Sequence, residues 1–511
     1  MNTHTVLRFK VYRLTNEWYM IRQNNRAQFN WLKVSAWIAL CLLLVASTGL
    51  AEHAVAHAQD TAPGWTGPED ISYPLSEGSD LFGKLLCDPY QNLHVLWGKS
   101  HADGSEIYYR TDKDGSLSAP VDVLAVPDNL AVQLSAAISA PDTTIHLIWA
   151  NRYVQGSVYY SRAPLADAAN TRAWDQPRLL VSQADSVGIF ADKSGALHVI
   201  YASFEAGGYM NAVYHMRSVD SGLTWSEPAL VYQVAAAEPS YLITTAAIDE
   251  AGRMYVGITL RSQDYGVNSE LGYIRSLDTG QTWQPYQMIA KQSEATPNVS
   301  VITPFAFGKD EIHLTWHDPR RMHMWSSDGG VTWSNPVEII QLGAGFGGAN
   351  YLAKDSAGVL RVVTGVAGGI YVSTFANSRW LTPERIENRR MDPHGQEMVV
   401  CQGNQLHIVY DDRVLRDTTV WYAHKQVNAP HIEQIPIPPS KAPSAAITVS
   451  PEAHQASPTA EPTATAERTP PLIDPTPPAI SESALAPLLI STTSVVILIS
   501  AALAWRERRR R

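Results

Sequence analysis

The sequence predicts an all-β fold: a seven-bladed β-propeller closed by its own N-terminal strand, flanked by export and anchoring segments. Three observations predict it. A turn of pattern Ser-x-Asp-x-Gly-x-Thr-Trp recurs at 218–225, 276–283 and 326–333. An apolar run, usually with His second, recurs seven times. One copy of an outer-strand motif stands before the first such run instead of after the last.

The turn comes first. Its fixed residues are Ser218, Asp220, Gly222 and Trp225, then Ser276, Asp278, Gly280 and Trp283, then Ser326, Asp328, Gly330 and Trp333. In a short Ser/Asp/Gly segment between strands, the polar side chains cap backbone N–H groups and Gly takes a positive φ. The starts lie 58 and 50 residues apart, the spacing of a repeat architecture.

The apolar runs are Leu93–Trp97, Ile145–Trp149, Leu197–Tyr201, Met254–Ile258, Ile312–Trp316, Leu360–Thr364 and Leu406–Tyr410. They are β-branched and aromatic runs bounded by Asp/Gly turns, and so read as strands. A short aromatic strand follows, such as Ile107-Tyr108-Tyr109. A Trp-x-x-Pro element then recurs, as at Trp174, Trp225, Trp333 and Trp380. Proline belongs on an edge strand, which makes this the outermost strand of each unit.

The displaced copy is Trp65/Pro68/Ile71, while the last unit, ending near Tyr422, has none after it. Inner and outer strands balance only if the N-terminal strand completes the last unit. Four-stranded repeats in such a ring make a β-propeller. Six blades is the alternative count. Cys87 and Cys401 stand at equivalent places in the two blades that meet at the closure. They are either a disulfide pinning the seam of an exported protein or two buried thiols.

The flanks set the address. Residues 1–58 run from basic through apolar to a small-residue site, the order of a signal peptide or an N-terminal anchor. The propeller occupies 59–427. Residues 428–482 are rich in Pro, Thr, Ser and Ala, without apolar periodicity, and read as a disordered stalk. Residues 484–505 are apolar and uncharged, long enough for one transmembrane helix, and the basic tail 506–511 should stay cytoplasmic. The expected location is the cell membrane, single-pass, with the propeller on the extracytoplasmic side.

Removing 1–58 (6 basic, 2 acidic) and 506–511 (5 basic, 1 acidic) from totals of 39 and 49 leaves 28 and 46, a charge of −18. That argues against nucleic acid as a partner. The recurrent histidines stand at equivalent positions in different blades, too far apart to share one metal, so no metal and no cofactor is expected.

The Ser-x-Asp-x-Gly-x-Thr-Trp turn resembles the Asp box, or BNR repeat, of sialidases and related propellers. The resemblance covers roughly residues 64–425. It implies that the boxes are structural, on the turn between third and fourth strands, and that any site lies on the opposite face. The loops there carry Arg152, Arg320 and Arg413, with Asp318 and Asp411 beside two of them. These groups either order their own loops as Asp–Arg pairs or converge on a ligand. For a sialidase, the resemblance implies a three-arginine carboxylate clamp, which these arginines would supply. It also implies an acid, Asp318 or Asp411, and a Tyr nucleophile with a Glu partner, Tyr241 with Glu238. The family's Arg-Ile-Pro signature is missing, and its catalytic members of this type have six blades. The leading expectation is recognition of a glycan or surface protein on the loop face; the alternative is an exo-sialidase or related glycoside hydrolase.

Overall fold

The structure, a computed structural model, describes residues 64–72, 79–101, 104–113, 115–126, 133–151, 156–204, 210–234, 240–262, 269–293, 299–318, 320–341, 349–366, 368–387, 393–412 and 418–439. All belong to the unit 1–443; the unit 444–511, with the expected membrane helix, lies outside the described residues. Among the described residues no helix is long and apolar enough to cross a membrane.

Seven antiparallel blades form the described fold. Their innermost strands are Ser79–Cys87, Gln133–Ser139, Ala184–Ala191, Ser240–Ile248, Ser300–Phe307, Tyr351–Lys354 and Pro393–Cys401, which number blades 1 to 7 here. The recurrent apolar runs are the second strands and are almost wholly buried, because each is paired on both edges and packed on both faces. Seven blades, not the alternative six, are therefore present.

Closure follows the displaced motif. Thr66–Asp70 pairs antiparallel with the last strand, Thr419–Gln426, and so supplies the outermost strand of blade 7. A disulfide joins Cys87 of blade 1 to Cys401 of blade 7, with Cα atoms 5.5 Å apart. One expectation shifts. The composition puts the stalk from residue 428, but the chain stays on the propeller as far as Ile435. Ile432 N–H donates to the Gln402 carbonyl (2.9 Å) and Ile435 N–H to the Tyr90 carbonyl (3.0 Å). The segment is held because these carbonyls lie on turns of blades 7 and 1 and accept its N–H groups.

The boxes sit between third and fourth strands, as the resemblance implied. In the box at 326, Ser326 Oγ donates to Asp328 and accepts from Gly330 N–H (2.8 Å), while Asp328 accepts from Thr332 N–H (2.9 Å) and its hydroxyl (2.6 Å). Boxes 218 and 276 repeat this. These bonds favour the charged carboxylate. The Thr282 side chain leads in holding Asp278 down at about 2.

Each box also staples its blade to the one before. The rings of Trp225, Trp283 and Trp333 meet Tyr160, His215 and Tyr273 on the preceding blade edge-on, at 5.5, 5.8 and 5.4 Å. Gly280 lies at φ +82, and a Cβ there would stand 2.3 Å from the His215 ring. The box glycine is thus required twice, by its dihedral and by the neighbouring blade.

Candidate functional site

Strands alternate in direction, so the boxes and the turns between first and second strands share one face. The loops between second and third strands, and between blades, share the other. The turn face is closed upon itself. Asp88 accepts from the N–H groups of Tyr90 (2.8 Å) and Asn92 (2.7 Å), and its other oxygen lies 3.2 Å from His94 Nε2. His94 Nδ1 lies 2.7 Å from the Tyr109 hydroxyl on the third strand. Blade 3 repeats the device with Asp192, His198 and His215, and blade 6 with Asp355 and Arg361. The recurrent histidines are thus buried parts of hydrogen-bonded chains within single blades. Burial pushes His146 down to about 3, with Arg162 adding to it, so it is neutral at physiological pH. Among the described residues no group of three or more His, Cys, Asp or Glu is arranged to hold a metal ion.

Sequence reasoning missed the carboxylate in this chain. The signal was present: Asp88/His94, Asp192/His198, Asp249/Tyr255 and Asp355/Arg361 are all six residues apart. The aromatic ending each apolar run is also structural. Trp97, Trp149 and Tyr201 are buried and stack on Tyr108, Tyr159 and Tyr214 of the third strands at 5.6, 5.9 and 5.7 Å.

On the loop face, Arg320 is more than half exposed and its Nε lies 3.3 Å from Asp318, itself buried. In blade 5 the recurring acid and arginine therefore form the local pair. The neighbouring Arg321 is buried and donates to the Gly365 carbonyl of blade 6. Burial pushes it down to about 10. Asp411 is fully buried, with Gly395 against its carboxylate: a Cβ there would stand 2.9 Å from Oδ1. Tyr241 opens the first strand of blade 4, where its backbone pairs with Arg261. Arg152, Arg413, Glu238 and the Tyr241 side chain lie outside the described residues.

A polar belt stitches the blades just below this face. Thr364 donates to Asn350 Oδ1 (2.8 Å), and the Asn350 carbonyl accepts from Thr315 (3.2 Å). Across the ring, Ser186 N–H donates to Gln133 (3.0 Å), and Thr244 donates through its N–H and its hydroxyl to Ser186 (2.7 and 2.6 Å). The innermost strands enclose an axial cavity of about 660 Å³. Its wall carries one ion pair, Lys84 Nζ to Glu397 Oε1, with Tyr351 beside it.

Residues 157–342 match the BNR repeat-like domain. No curated protein sequence matches the chain. Among solved structures, a protein of unknown function from Dyadobacter fermentans is 15% identical with a TM-score of 0.44, over 58% of this chain and 95% of that one. The intramolecular trans-sialidase from Ruminococcus gnavus is 12% identical with a TM-score of 0.39, over 69% and 95%. The NanB sialidase from Streptococcus pneumoniae is 12% identical with a TM-score of 0.41, over 71% of each chain. Likenesses this distant carry no argument about chemistry.

Proposed function

Starting from a chain that is a sialidase-like β-propeller of the BNR-repeat type, we propose that it recognises a glycan on its loop face. We propose equally that segment 484–505 tethers it to a membrane with the propeller outside the cytoplasm. The observation that carries the first reading is the asymmetry of the two faces. On the turn face the repeated acids and histidines are consumed within the fold. At the loop face, Asp318, Asp411 and Asp412 stand at the ends of second strands, and Gly395, which lies against the Asp411 carboxylate, lines the axial cavity. Carboxylates are the acceptors a hydroxyl-rich ligand needs. The disulfide supports the extracytoplasmic address, since such bonds persist in oxidising compartments.

Recognition is favoured over sialidase action by the described arginines of this face. Arg321 is buried and donates to a backbone carbonyl, and Arg320, though exposed, is shared with Asp318, so a sugar carboxylate would have to compete with Asp318 for it. A glycan array probed with the detergent-solubilised full chain tests the reading. Binding that survives Asp328→Asn and falls with Asp318→Asn is the expected result. Hydrolysis of a fluorogenic sialoside, lost in Arg320→Ala, would overturn it in favour of the enzyme.

A further inference from the structure

The axial cavity has two unlike walls. On one side stand Lys84 of blade 1, Glu397 of blade 7 and Tyr351 of blade 6. On the other stand half-buried apolar groups of blades 3 to 5, among them Phe190, Ile243 and Phe305. Phe305 meets Tyr351 edge-on at 5.8 Å, where the two walls join. The volume, about 660 Å³, is that of a site for a small organic molecule.

The charged groups are matched to one another. Glu397 takes Lys84 on one oxygen and the Leu85 N–H on the other (3.2 Å). Burial alone would pull the Lys84 ammonium down, but the Glu397 carboxylate outweighs it and holds it above the ordinary lysine range. The ammonium has three N–H donors, and Glu397 takes one of them. An entering anion would bring a second negative charge beside the buried Glu397 carboxylate, with one ammonium to serve both, which is unfavourable. A hydroxyl both donates and accepts, so it joins the pair without breaking it. The apolar wall suits the C–H face of a sugar ring.

We propose that the axial cavity binds the terminal residue of the glycan, and that the Lys84–Glu397 pair makes it select an uncharged sugar over an anionic one. This rests on the reading of the protein as a glycan-recognition module. It makes Glu397, on the innermost strand of blade 7, a specificity-determining residue.

The test uses the full chain in detergent, with saturation-transfer NMR and two probes: methyl β-galactoside and the methyl glycoside of N-acetylneuraminic acid. The wild type should bind the uncharged probe at least about tenfold more tightly than the anionic one. Glu397→Gln keeps the shape, frees the Lys84 charge, and should reverse that order. Ala246→Phe, on the apolar wall, should abolish binding of both while the pair stays intact. A single cooperative thermal transition in each variant, at a lower temperature for Glu397→Gln, shows that the fold is kept. Glycan-array binding by the wild type that neither variant alters would overturn the cavity as the site while leaving the recognition reading standing. Absence of any glycan binding by the wild type would overturn both.

Discussion

The two faces of this propeller are built on opposite rules. On the turn face one solution is repeated from blade to blade: an Asp box, an Asp-capped turn, a buried His held between a carboxylate and the next strand. On the loop face the ends vary: His101, Asn151, Phe204, Ser262 and Val366 close five of the second strands, and Asp318 and Asp412 close the other two. Repetition marks the places where every blade faces the same physical problem, packing on its neighbour. Variation marks the places where packing sets no such demand, and there a ligand is free to shape the residues. Variants should obey this division. Changes at the turn face and seam should cost stability and spare recognition; changes at the loop face should do the reverse.

The largest expected effect is at the seam. The Cys87–Cys401 bridge closes a loop of 314 residues. Chain-entropy reasoning gives it roughly 6 kcal/mol of stability. The double variant Cys87→Ala, Cys401→Ala should lower the denaturant midpoint accordingly, while its folded fraction still binds glycan. Mass spectrometry without reductant should find no free thiol at either position in the wild type.

Next is the blade interface. Gly280→Ala puts a methyl at φ +82 and 2.3 Å from the His215 ring. The dihedral and the overlap together should cost about 3–4 kcal/mol, read as a shift of the denaturant midpoint. A loss under about 1 kcal/mol would mean that the blades are not stapled there.

A pH effect comes third. In blades 1, 2 and 7 the strand-two His meets a Tyr, but in blades 3 and 5 it meets a second histidine, His215 at 3.0 Å and His323 at 2.8 Å. Burial first, and then His198, pushes His215 down to about 4. Because that lies below the unfolded value of about 6.5, the unfolded chain takes up the proton first as the pH falls. The contribution is present above about pH 6.5 and is lost between about 6.5 and 4, at most about 3 kcal/mol. His215→Tyr copies blades 1, 2 and 7 and should flatten that part of the stability–pH curve. Other buried histidines, His146 and His407, keep some slope.

What was legible in the sequence follows the same division. The boxes, the apolar runs and the displaced strand at Trp65 could be read because local repetition makes a pattern visible. Even the missed Asp of the turns obeys a fixed spacing to its partner. The Lys84–Glu397 pair could not be read. Its members lie 313 residues apart and meet only because the ring closes, and no other blade repeats them among the described residues. Loop position alone points to the clamp arginines, and Arg320 shows how little that determines. An arginine two residues beyond an acid on a tight loop finds that acid as readily as a ligand.

Arg320 is therefore the smallest and sharpest test of the division. Its side chain is 54% exposed, and its pairing with Asp318 lies at the surface. Exposed pairs of this kind contribute roughly 0–1 kcal/mol, so Arg320→Ala should leave the unfolding midpoint almost unmoved. Removing a guanidinium that touches a ligand hydroxyl would still weaken binding by about tenfold. A midpoint unchanged with weaker glycan binding places Arg320 in the recognition surface. A midpoint unchanged with binding unchanged makes the pair an ordering device for its own loop, and confines recognition to the cavity and the other blades.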